Sequence, residues 1–202
     1  MSKIICSREE AMKRLEAVHV LIMDNSMQVI DLFKRMLNEL GFSNVHAATS
    51  GFEAILIMKK LKINLVITDW ALSNTENQAS DTVITDEQML SLTGVDFVWK
   101  VRHSDTISTS VMPVIMLADA MHKMQVFAAR DAGVNEICVK PLTAEKLCSR
   151  IISVIDHPRI FVTAKSYRGP CRRRLKTTGD TQAEDRRKSE ICIIKAPKSA
   201  RG

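Results

Sequence analysis

Five short apolar runs, alternating with stretches of helical spacing, constrain this chain more than any other feature. The runs are residues 19–23 (HVLIM), 44–48 (NVHAA), 65–68 (LVIT), 114–117 (VIML) and 137–139 (ICV). The third is mostly β-branched and has no helical stripe, which suits a strand covered on both faces. Between the first two runs, Met27, Ile30, Phe33 (or Leu32), Met36, Leu37 and Leu40 recur at helical spacing and stop at Gly41. Phe52, Ile55, Leu56, Met58 and Leu61 follow the second run, and a short amphipathic helix over 95–102 follows the third. Residues 119–132 carry Met121, Met124, Phe127, Ala128 and Ala132 as an inner face, with Gly133 as the stop. A last helix starts at Thr143 and turns Leu147, Ile151, Val154 and Ile155 inward. Strand and helix in such alternation predict an α/β domain with one parallel sheet, helices on both faces and right-handed crossovers.

Local signals set the boundaries. Ser7 with Glu10 and Ser50 with Glu53 have capping-box spacing, so residues 7–18 read as a helix ahead of the first strand. The expected organisation is an N-terminal helical extension over 1–17, a domain over 18–156 and a tail over 157–202. Within the domain, the polar stretch 73–93 interrupts the rhythm as an inserted loop, with a helical cue only in TDEQML.

Charge separates the tail from the rest. Residues 157–202 hold 13 Lys plus Arg against 4 Asp plus Glu, whereas residues 1–156 hold 16 against 19. With two arginine clusters, Arg172 to Arg174 and Arg186 with Arg187, and few large apolar residues before Ile191, the tail is expected to be disordered. No apolar run reaches the length of a membrane span, and the first thirty residues are charged at Arg8, Glu9, Glu10, Lys13 and Arg14, so a cytoplasmic location is expected. Five scattered cysteines without CxxC spacing argue against a disulfide framework or a zinc site. Four glycines spread one per turn exclude a Gly-rich phosphate loop.

In a parallel sheet all carboxyl ends share one edge, where ligands of open α/β sheets bind. Asp24 and Asn25 follow the first run, Asp69 ends the third and Lys140 follows the fifth, so these residues are expected to converge. Carboxylates with a lysine suit a hard divalent cation and a phosphoryl group: oxygen ligands for the one, a point charge for the other. A carboxylate so placed can act as a nucleophile in phosphoryl transfer.

The segments VLIMDNS, LGF, TSGFEAI, LVITDW, TGVDFVWKVR, PVIML and DAGVNEICVKPLTAEKL resemble the receiver domains of two-component response regulators, of the chemotaxis-regulator type. That resemblance implies a doubly wound, flavodoxin-like five-stranded sheet in the order 2-1-3-4-5. It implies Asp69 as phosphoacceptor, Lys140 as the partner of the phosphoryl oxygens, and Mg2+ held by Asp24, Asp69 and the backbone carbonyl of Ala71. It also implies a sensor histidine kinase or phosphotransfer protein as donor and an unidentified downstream protein as receiver of the signal: a switch rather than an enzyme.

Several positions depart from the family pattern. Asn25 stands where a second metal-binding acid is usual, so Mg2+ is expected to bind weakly. Ala118 replaces the hydroxyl residue that ends the fourth strand, Asp119 replaces a small residue, and Ile137 replaces the aromatic switch residue. Two other readings follow: an atypical receiver that docks partners without being phosphorylated, and polyanion binding through the basic tail. No DNA-reading motif follows the domain, so sequence-specific DNA binding is not expected.

Overall fold

The computed structural model describes residues 15–72, 92–164, 166–172 and 192–194. Five parallel strands form the main sheet: β1 (His19–Met23), β2 (Asn44–Ala48), β3 (Leu65–Asp69), β4 (Val114–Ala118) and β5 (Glu136–Val139), in the order β2-β1-β3-β4-β5. The register runs Val20 to Leu65 and Met23 to Thr68 across β1 and β3, and Val66 to Val114 and Asp69 to Leu117 across β3 and β4. β3 and β4 are buried along their whole length, as their unbroken apolar runs require of central strands.

Helices α1 (Met27–Glu39), α2 (Gly51–Lys60), α3 (Gly94–Arg102), α4 (Ile107–Ser110), α5 (Lys123–Ala132) and α6 (Ala144–Asp156) connect or follow the strands. Alternate residues of β1 point to opposite layers. Leu21 and Met23 join Ala54 of α2, Phe97, Val98 and Val101 of α3, and Ala129 and Ala132 of α5. Val20 and Ile22 join Ile30, Phe33 and Leu37 of α1 with Leu147, Ile151 and Val154 of α6. The helix starts follow the sequence signals: Ser50 Oγ accepts from Glu53 N at 3.2 Å, and Thr143 Oγ1 from Lys146 N at 3.3 Å. Gly133 ends α5 with φ +96°, the left-handed conformation that favours glycine at this position.

Some expectations are corrected. α5 begins at Lys123, not at 119, and its buried residues are Ala129 and Ala132; Met124 is 73% exposed and Ala128 is exposed. The small alanines let this helix lie close to its neighbours, which turns the larger side chains outward. In α1 Phe33 rather than Leu32 faces the core, and in α2 Ala54 is buried while Leu56 and Leu61 are partly exposed. Of the N-terminal extension over 1–17, residues 1–14 lie outside the described residues, as does the insertion apart from its last two residues.

The largest correction concerns the tail. Its first part is folded: β6 (Phe161–Ala164) and β7 (Tyr167–Pro170) pair antiparallel, and β8 (Cys192–Ile194) pairs antiparallel with the other edge of β6. Phe161 is 4% exposed, and Gly169 and Pro170 are buried. Beneath Phe161 lies Arg102, fully buried at the end of α3, its guanidinium 5.0 Å from the ring centroid. Arg102 Nε donates to Gly133 O (2.9 Å), Nη1 to Ser110 O (3.0 Å) and Met112 O (2.7 Å), and Nη2 to Asn135 Oδ1 (2.8 Å). One guanidinium thus joins the ends of α3, α4 and α5 to the entries of β4 and β5. Burial pulls its pKa down to about 9, so it stays charged at neutral pH.

Candidate functional site

Asp24, Asp69 and Lys140 meet at the carboxyl edge of the sheet. β3 carries Asp69 as its last residue, and Asp24 immediately follows β1. Lys140 follows β5, where its N–H donates to Ala118 O at 2.8 Å and its bond to Pro141 is cis. The Lys140 ammonium lies 2.6 Å from Asp69 Oδ1 and 3.6 Å from Asp24 Oδ2. Asp24 and Asp69 are only 4% and 6% exposed, so the two carboxylates are withdrawn from bulk water and interact with the Lys140 charge more strongly than they would in it.

Each carboxylate has one further donor. Asp24 Oδ1 accepts from Ser26 N at 2.9 Å, and Asp69 Oδ2 accepts from Ala71 N at 2.8 Å. Asp69 Oδ1 is buried, and the Lys140 ammonium is what neutralises it. Burial raises the Asp24 pKa, against the lowering effect of the Ser26 N–H and Lys140; the charge of Asp69 adds to the rise. For Lys140, burial alone would lower the pKa. The hydrogen bond and charge of Asp69, with the charges of Asp24 and Asp119, outweigh it and hold the ammonium above its ordinary value.

The remaining predicted residues surround this triad. Asn25 is exposed, and its Nδ2 donates to Ala71 O at 3.4 Å. Ala118 ends β4, buried and in register with Val139. Ile137 is half-buried and packs into the core layer that holds Phe97 and Ala129 rather than against the triad. One contributor was not read from the sequence: a Cβ on Gly94 would lie within 2.0 Å of Asp69 O. Glycine at this position lets α3 start directly against the backbone of Asp69. The Thr-Gly pair and the capping box from Thr93 to Asp96 were the available signals.

Two buried carboxylates and the Ala71 carbonyl are hard oxygen donors of the kind a divalent cation takes. Among the described residues no group of three or more His, Cys, Asp or Glu could hold a metal, so a carbonyl has to complete the set. The Asn25 amide, which now points its N–H at that carbonyl, would have to turn to offer its oxygen. The residues fit a magnesium ion with one charge fewer than two acids at 24 and 25 would give.

A family profile described as the response regulator receiver domain matches residues 71–152. The chemotaxis protein CheY homolog of Campylobacter jejuni is 31% identical over 136 residues, covering 67% of this chain and 91% of that protein. The chemotaxis protein CheY of Pseudomonas aeruginosa is 27% identical over 137 residues, covering 68% and 95%. Among solved structures, the chemotaxis response regulator CheY4 of Vibrio cholerae superposes with a TM-score of 0.54 at 23% identity, covering 68% of this chain and 98% of that one. Matched at 31% identity over 91% of a relative, and built on the same doubly wound sheet, this chain belongs to the response regulator receiver domain family, of the chemotaxis-regulator-like type.

Proposed function

We propose that this protein is a phosphorylatable receiver in two-component signalling. Asp69 takes a phosphoryl group from the phosphohistidine of a sensor kinase or phosphotransfer protein and signals by binding a downstream protein. The observation that carries this reading is the Lys140 ammonium 2.6 Å from a buried Asp69 carboxylate oxygen. An Asp69 oxygen attacks phosphorus, the phosphorus–nitrogen bond of the donor breaks, and an acyl phosphate forms. Lys140, freed from its ion pair with the carboxylate, then meets the phosphoryl oxygens, and the buried setting strengthens that attraction. Asp24, Asp69 and Ala71 O would hold Mg2+ weakly, and when bound the ion would supply further positive charge against those oxygens. The chain acts as a switch that carries the group, not as an enzyme that turns over a substrate. Among the described residues no helix is long and apolar enough to cross a membrane.

A second reading is docking without phosphorylation. Ala118 has no hydroxyl to donate to a phosphoryl oxygen, and the Asn25 amide occupies the Ala71 carbonyl. Incubation with a small phosphodonor such as acetyl phosphate, followed by mass mapping, decides between the two. Labelling on Asp69 that disappears in Asp69→Asn is the expected result; labelling that persists elsewhere, or none at all, overturns the first reading.

A further inference from the structure

We propose that the β6–β7 hairpin is an intramolecular strap that holds α5 by its C-terminal end, so that the hairpin and the last turns of α5 open and close as one unit. The strap touches α5 at three levels. At the backbone, β7 lies against the turn after α5: a Cβ on Gly169 would come within 2.8 Å of Gly133 Cα, and one on Gly133 within 2.7 Å of Arg168 O. Two glycines, one of them also left-handed, are what allow that approach. Beneath the hairpin, Phe161 covers Arg102, which in turn binds Gly133 O, the carbonyl of the residue that ends α5. At the rim, Arg172 lies 2.9 Å from Asp131 of α5 and 4.0 Å from the ring centroid of Tyr167, while the Tyr167 hydroxyl donates to Pro170 O at 2.7 Å.

These contacts make a releasable closure rather than a fixed one. Arg102 has no carboxylate partner among the described residues, so docking Phe161 over it buries a charge that no opposite charge neutralises. The apolar gain from Phe161 and the cost of drying the guanidinium oppose each other, and the second falls away when the strap lifts. β8 adds a second pairing to β6 through Phe161 and Ile194, Val162 and Ile193, and Thr163 and Cys192, so chain far along the tail also bears on the closure. The other end of α5 follows β4 and the loop that starts at Asp119, next to Lys140. A helix held at one end by the tail and joined at the other to the acidic site places the strap where it can bias the two together.

Amide exchange on the full chain tests this without any phosphorylation. In Phe161→Ala, exchange should rise at least tenfold both in 161–170 and in 127–133, with α1 and α6 unchanged. A rise in the hairpin alone would overturn the proposal, because the hairpin would then be a passive appendage. A uniform rise through α1 and α6 would overturn it too, since Phe161 would then merely support the whole fold. Should Phe161→Ala fail to fold, Gly169→Ala decides: its added methyl meets both the Tyr167 hydroxyl within the hairpin (2.6 Å) and Gly133 Cα (2.8 Å), so the rise in 127–133 beside that in 161–170 is the half that supports the proposal, and a rise in the hairpin alone overturns it. A separate arm rests on the receiver reading: labelling of Asp69 should change exchange in 161–170 by severalfold. Labelling without any such change would overturn the link to the site, and absence of labelling would count against the receiver reading and not against the strap.

Discussion

Replacing Arg102 tests the packing logic at its most demanding point. The guanidinium is fully buried and directs four hydrogen bonds of 2.7 to 3.0 Å at Gly133 O, Ser110 O, Met112 O and Asn135 Oδ1. Arg102→Met keeps much of the volume and removes every donor. Among the described residues, Asn135 Oδ1 alone of the four acceptors keeps another donor, the Val114 N–H at 3.0 Å. Leaving a buried acceptor unpaired costs about 1–3 kcal/mol, so the three such losses, at Gly133 O, Ser110 O and Met112 O, not fully additive, come to about 3–6 kcal/mol. Removing a buried charge without a carboxylate partner returns about 1–4 kcal/mol. Taken at mid-range the net is a loss of about 2 kcal/mol, a sizeable part of the about 5–15 kcal/mol that holds a typical domain together. Arg102→Lys is the sharper case: it keeps the unneutralised charge yet has no planar fork to reach four acceptors on different segments. It should be at least as destabilising as methionine. Urea unfolding followed by circular dichroism gives both values. A loss below about 1 kcal/mol in Arg102→Met, or a lysine variant more stable than the methionine one, would refute the reasoning.

The site gives two further predictions. Asn25→Asp adds a negative charge beside Asp24 and removes the N–H that occupies Ala71 O, so magnesium should bind about tenfold more tightly, read by titration calorimetry or by fluorescence of Trp70; equal affinities would show that another group already completes the site. Asp24→Asn should stabilise the fold at neutral pH. Because burial holds the Asp24 carboxyl above its ordinary range, the folded state binds its proton more tightly than the unfolded state does. The ionised form therefore costs stability above the raised pKa, and that cost fades as pH falls toward about 4, the ordinary value for aspartate. Melting temperatures of natural and variant protein should differ most near neutrality and converge in acid; a gap that widens in acid would contradict the sign.

The sheet was legible because its central strands β1, β3 and β4 are buried on both faces and so read as apolar runs, and because Ser50, Thr143 and Gly133 mark helix ends by chemistry that acts within a few residues. The triad was legible for a related reason: parallel strands put their carboxyl ends together whatever the helices do. Rotation of α5 was not, since Met124 and Ala129 both fit a helical stripe and only the closeness of the neighbouring elements selects the alanine. Arg102 reads locally as a charge at a helix end. Its burial depends on residues 8 to 59 positions further along the chain, from Ser110 to Phe161.

The described part of the tail was misread for a physical reason as well; residues 173–191 and 195–202 lie outside the described residues. Composition averaged over residues 157–202 reports their net charge, but charge supplies only the rim of the docking, Arg172 against Asp131: its central contacts are a phenylalanine ring over a cation, two glycines that let backbone approach backbone, and a carbonyl from Arg168 itself. A basic segment settling over a buried arginine looks forbidden when side-chain charges are summed. It is permitted because the face of an aromatic ring attracts a cation, and because Arg168, with its side chain exposed, contributes its main chain to the contact. Where docking is built from ring faces and main chain, charge patterning carries no information about it, and the pairing of β6 with both β7 and β8 becomes readable only once the strands are seen together.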